Sequence, residues 1–152
     1  MTNWRLGIAI LGVALASVPL HAAEPAPVPT QILTAKKAFI SNVGVDGASW
    51  TLLDWAGDAI DEPYNRLYAA MKSWGRFDLV GAPSDAELVF EVRLIGGGVE
   101  LTILDARTHF TLWALAEPMK PTAKKATWNK NFDQALADLV NDMKGLAGGA
   151  SK

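Results

Sequence analysis

The clearest signal along the chain is its hydrophobic period. From Glu87 to Leu94, apolar and polar positions alternate. Leu88, Phe90, Val92 and Leu94 point one way, and Glu87, Val89, Glu91 and Arg93 point the other. Successive side chains of a strand face opposite sides, so this pattern predicts a strand with one buried face. Gly96-Gly97-Gly98 predicts a hairpin tip. Val99, Leu101 and Ile103, set against Glu100 and Thr102, predict the return strand. After a second turn at Asp105-Ala106-Arg107-Thr108, Phe110, Leu112, Ala114 and Ala116 alternate with Thr111, Trp113 and Leu115. That pattern predicts the third strand of a meander, with the Phe110 set facing the core.

Two stretches have a helical period instead. Tyr64, Leu67, Tyr68, Met71 and Trp74 fall on one helical face. Asp61 suits the cap, Pro63 the first turn and Gly75 the stop. Trp128, Phe132, Ala135, Leu136, Leu139, Val140 and Met143 form the stripe of a second helix, with Thr127 as its expected cap and Lys144 near its negative end. Ala35 to Val45, with Phe39-Ile40-Ser41-Asn42-Val43 closed by Gly44, predicts the first strand. Phe77 to Val80 predicts a short one. Trp50 to Ile60 fits neither period: Leu53, Ala56 and Ile60 suit a helix face that Gly57 weakens. The order β-α-β-β-β-β-α predicts a two-layer α+β domain. Its sheet is mostly antiparallel with four to five strands, and two main helices pack on one face.

The N-terminus reads as an export leader. Arg5 precedes the uncharged apolar run Leu6 to Val18, then come Pro19 and Leu20-His21-Ala22. The run falls short of the roughly 20 residues a membrane span needs. The proline-spaced stretch from Glu24 to Pro29 reads as an extended spacer. The expected organisation is a signal peptide over 1–22, a Pro-rich linker over 23–34, one domain over 35–147 and a tail over 148–152. The expected location is periplasmic or secreted, with no stable membrane span after cleavage.

Composition narrows the chemistry. Half the residues are hydrophobic, a fifth are charged, and cysteine is absent. This excludes a disordered chain, a disulfide scaffold, a cysteine zinc site, a cysteine nucleophile and a lipid carried on cysteine. A net charge of −2 argues against a general polyanion binder, and no nucleic-acid partner is expected. His109 with Ser49 or Ser84 and an aspartate could serve nucleophilic catalysis, but no Gly-x-Ser-x-Gly elbow exists, so His109 reads as a surface residue. Asp54, Asp58, Asp61 and Glu62 fit no calcium loop and read as charges at a helix start. Lys120, Lys124, Lys125 and Lys130, the one basic concentration, could meet a phosphate or an anionic lipid headgroup, but exposed lysines are common and the group reads as a solvated loop. Gly44-Val45-Asp46-Gly47 and the Gly96 triplet read as turns rather than phosphate loops. No catalytic residue, metal ligand or cofactor is therefore expected, and the chain does not read as an enzyme.

The tryptophans stand out. Trp74 and Trp128 lie on the predicted core faces. Trp113 falls on the other side of its strand, grouped with Val89 and Leu115, while Trp50 and Trp55 lie in the ambiguous segment. Either residues 50–60 cover that face, or Trp50, Trp55, Val89, Trp113 and Leu115 form a partner or ligand face.

Two resemblances accompany these patterns. The Asp46–Trp50, Tyr64–Phe77 and Asn131–Ala135 stretches resemble an uncharacterised family of small exported bacterial proteins. Four further pieces resemble the amino-terminal domain of the Tol-Pal propeller protein TolB and related envelope-assembly domains. They are Gly75-Arg76-Phe77 after a helix, the Ser84–Phe90 strand opening, the Leu101–Thr108 strand and turn, and Ala137-Asp138-Leu139-Val140 in the last helix. This resemblance implies a mixed sheet with helices packed on it, used for protein contact and bringing no catalytic residues. The expected function is a non-catalytic exported protein-binding module, its partner an envelope protein. The alternative is a small-ligand or lipid-binding module with an aromatic pocket.

Overall fold

The structure, a computed structural model, describes residues 26–45 and 62–148. Its elements are α1 (Thr30–Thr34), β1 (Lys37–Val45), α2 (Glu62–Trp74), β2 (Asp78–Leu79), a 3-10 turn (Pro83–Asp85), β3 (Leu88–Ile95), β4 (Gly98–Asp105), β5 (Thr111–Pro118) and α3 (Lys125–Ala147). One sheet runs in the order β2-β1-β3-β4-β5. β1 is parallel to both β2 and β3, whereas β3, β4 and β5 form an antiparallel meander. The two-layer α+β expectation is met, with a mixed sheet. Chain that leaves β1 must pass through α2 before pairing again, and such a return allows parallel pairing.

The core lies between the sheet and the helices. Leu88, Phe90, Val92, Leu94, Val99, Leu101 and Ile103 are fully buried, as are Ala38, Leu67, Leu139 and Met143. Every stripe residue expected on α3 is buried. The aromatic rings interlock: Trp74 meets Phe77 edge-on at 5.6 Å, Phe77 meets Phe90 edge-on at 5.3 Å, and Trp128 stacks on Phe132 at 5.5 Å. Arg66 joins the two long helices, pairing with Glu62 at 2.8 Å and with Asp133 while its guanidinium lies over the Phe132 ring. Both ion pairs are about half exposed, so each is worth at most about 1 kcal/mol.

Two glycines are required by geometry. Gly75 ends α2 at φ +67, a conformation a side chain rarely adopts. Gly98 lies so close to β5 that a Cβ would sit 2.2 Å from the Glu117 carbonyl oxygen.

Four sequence expectations are corrected. The stretch read as a linker over 23–34 ends in α1, and Ile32 within it is fully buried, so the folded unit begins before residue 35. This turn is fastened from outside. Arg76 donates to the Leu33 and Ala35 carbonyls at 2.6 and 2.8 Å, and Glu87 accepts from the Lys36 and Lys37 amides at 2.5 and 2.9 Å. Helix α3 starts at Lys125 with Lys124 as its N-cap, so Thr127 lies inside it.

The third and fourth corrections concern β5. Ile103 pairs with Trp113 and Leu104 with Thr111, so Leu112 is an extra residue in the ladder. A bulge of this kind resets the alternation. Trp113 and Leu115 therefore share the helix-covered face with their partners Ile103 and Leu101, and both pack against the core. Ala114 and Ala116 face away. Phe110, expected inside, is 74% exposed. It follows His109, which sits at φ +59, where the chain leaves the tight turn.

Candidate functional site

Among the described residues, the helices pack on one side of the sheet. The other side can be built row by row, because residues paired across neighbouring strands point the same way. The first row is apolar: Phe39, Val89, Leu104 and then Thr111. The second is polar to small: Ser41, Glu91, Thr102 and Ala114. In the third, Arg93 donates to Glu100 at 2.5 Å, with Ala116 beside them. Thr102 donates to the same Glu100 oxygen at 3.3 Å. Val89, in the central strand, is 7% exposed between Phe39 and Leu104, although no described element lies over it. Among the described residues, the face thus has an apolar end, a charged-pair end and small alanines along one margin.

Of the expected face residues, only Val89 lies here. Trp113 and Leu115 are on the opposite side of the sheet. Trp50 and Trp55 lie outside the described residues, as do Ser49, Asp54, Asp58 and Asp61. Sequence reading missed Phe39 and Leu104. The signal that could have found the frame of β5 is the adjacent bulky pair Leu112-Trp113, which a regular alternation cannot place on one side.

The outer edge of β5 is blunted. Met119 donates its amide to the Gly97 carbonyl at 2.7 Å, so its neighbours two apart, Glu117, Leu115 and Trp113, face inward across β4. Ala114, Ala116 and Pro118 therefore turn their backbone groups outward. Pro118 has no amide to offer, and the bulge at Leu112 interrupts the other end. Proline and bulges are common protections against edge pairing.

The remaining candidate chemistry is quiet. His109 is exposed, beside the turn that Asp105 organises by accepting from the Arg107 and Thr108 amides and the Thr108 hydroxyl. These hydrogen bonds, the Thr108 amide first, hold the Asp105 carboxyl below its usual pKa. Glu87 is held low likewise, first by the Lys36 amide and then by that of Lys37. Glu62, the described member of the acidic group, is paired with Arg66. Among the described residues no group of three acidic, histidine or cysteine side chains is placed to hold a metal. No described helix is long and apolar enough to cross a membrane.

No family model matches this chain, and no curated protein matches it. Solved structures do. A PelC variant dodecamer from Paraburkholderia phytofirmans has a TM-score of 0.52 at 13% identity, covering 80% of this chain and 94% of the PelC chain. A Xanthomonas campestris protein of the DUF330 family has a TM-score of 0.45 at 14% identity, covering 81% of this chain and 91% of its own. At such identity the PelC likeness establishes a shared fold. Both neighbours are bacterial, and neither is a TolB domain.

Proposed function

We propose that this protein is a non-catalytic exported domain that binds a protein partner at the bacterial envelope through the face of its sheet that carries no helix among the described residues, its bare face. The observation that carries the reading is the apolar row Phe39–Val89–Leu104 on the face that carries no helix among the described residues. An exported location rests on the leader-like sequence before residue 23. Four strands about 4.8 Å apart and eight residues long offer about 500 Å². A standard interface takes about 800 Å² from each partner. The face alone therefore suits a modest contact, or one of several contacts in a larger assembly.

A second reading follows from that size. The PelC neighbour is a dodecamer, which favours self-association, with another copy of this chain as the partner. The aromatic-pocket alternative uses Trp113, which is half-buried and packs against the core, together with Trp50 and Trp55, which lie outside the described residues.

Crosslinking in native envelopes followed by affinity capture tests the proposal. A specific protein adduct is expected, and its loss in a Phe39→Ser/Leu104→Ser variant assigns it to the bare face. Recovery of no specific adduct contradicts it. Mass measured by light scattering separates the two readings: a multiple of the chain mass supports self-association.

A further inference from the structure

Away from the sheet face, the segment from Glu117 to Asn131 carries four lysines against one glutamate, on a chain whose net charge is −2. Lys120, Lys124, Lys125 and Lys130 are all exposed, and none has an acidic partner among the described residues. Three of the four described arginines behave differently. Arg66 and Arg93 are in ion pairs, and Arg76 is committed to backbone carbonyls. These lysines do not sit on a loose loop. Met119 is tied to Gly97, the Asn131 side chain donates to the Lys120 carbonyl at 2.8 Å, and the Lys124 amide donates to the Thr122 hydroxyl at 3.2 Å.

Their placement also opposes local stability. Lys124 and Lys125 stand at the N-terminal end of a 23-residue helix that has no acidic residue in its first turn. That end is the positive one, so cations there are unfavourable. A sequence that breaks a local rule in this way points to a requirement from outside the fold.

We propose that this end of the molecule docks on the anionic headgroup surface of a lipid bilayer. Flexible point charges suit a diffuse anionic layer. A discrete phosphate is better gripped by the planar fork of arginine, and the segment contains no arginine. The proposal is independent of the sheet-face reading, because it uses other residues.

The test is co-sedimentation with vesicles of neutral lipid alone or with about a third anionic lipid, using the protein as its host processes it. Binding to the anionic vesicles should exceed binding to neutral ones and should fall as salt is raised. Each lysine near the surface contributes about fivefold to partitioning. Lys124→Gln/Lys125→Gln should therefore reduce binding about 25-fold, and Lys36→Gln/Lys144→Gln, which removes the same charge elsewhere, should change it little. Circular dichroism establishes that both variants fold. Equal binding to the two vesicle types overturns the proposal, as does equal loss in the two variants. Binding to polyglutamate without binding to vesicles also overturns it, in favour of an acidic protein partner.

Discussion

The two faces of this sheet are made by the same strands, with alternate residues of the same sequence, and they differ sharply. On the helix side, β3 contributes Leu88, Phe90, Val92 and Leu94, all fully buried. On the other side it contributes Val89, Glu91, Arg93 and Ile95, of which only Val89 is buried. The first face holds the fold together. The second is ordered by its own row contacts and by the Arg93–Glu100 pair, with Glu91 and Arg93 half-buried. The two faces are thus separated by one residue of register, which is why the bulge in β5 matters: it decides which of Trp113 and Ala114 joins the helix-covered side.

Substitutions on the two faces should diverge, and the differences can be ranked. Phe90→Ala removes a ring that Phe77 packs against in a closed core, and urea unfolding should show a loss of about 3–5 kcal/mol. Trp113→Ser should cost about 1–3 kcal/mol, because Trp113 packs on the core from an edge strand and is only half-buried. A loss below about 0.5 kcal/mol would return Trp113 to the solvent-facing side. Val89→Thr, which keeps the volume but adds a hydroxyl at a buried position of the bare face, should cost about 1–2 kcal/mol in the same assay. A loss as large as that of Phe90→Ala would mean that the second face is part of a covered core.

The smallest expected effect is one of pH. Glu87 has its pKa lowered by the Lys36 and Lys37 amides, so its carboxylate favours the folded state. Its contribution is fully present above the ordinary carboxylate pKa and is lost as pH falls through the lowered value. Glu87→Gln should therefore flatten the acid limb of the stability curve while leaving the neutral-to-basic side parallel to that of the unaltered protein. An unchanged acid limb would show that the clamp on the α1–β1 junction contributes nothing.

Much of the helix-covered face was readable in the sequence, because local signals suffice there. Clean alternation around a glycine hairpin fixes β3 and β4, and a seven-residue stripe fixes α3. The bare face was read only in part, for three physical reasons. Phe39 belongs to it through parallel pairing of β1 with β3, a contact across 50 residues that leaves no periodic trace. The bulge at Leu112 reverses the later half of β5 and turns Trp113 and Leu115 to the helix-covered side, where an unbroken alternation does not put them. Helix α1 has a single turn, too short to show a period, and depends on Arg76 and Glu87 from distant segments. The basic segment was visible from the start, but that its lysines lack partners is evident only once the fold is assembled.

The central claim is that the bare sheet face, and not the helical layer, meets a protein partner. Site-specific photocrosslinking in the native host tests it most directly. Photoreactive residues replace Ala114 or Ala116 on the bare face, and Ala69 or Ala137 on exposed positions of α2 and α3. The expected result is a discrete adduct from the Ala114 and Ala116 positions and none from the helical ones. Adducts from the helical positions alone, or of equal yield from both layers, would contradict it.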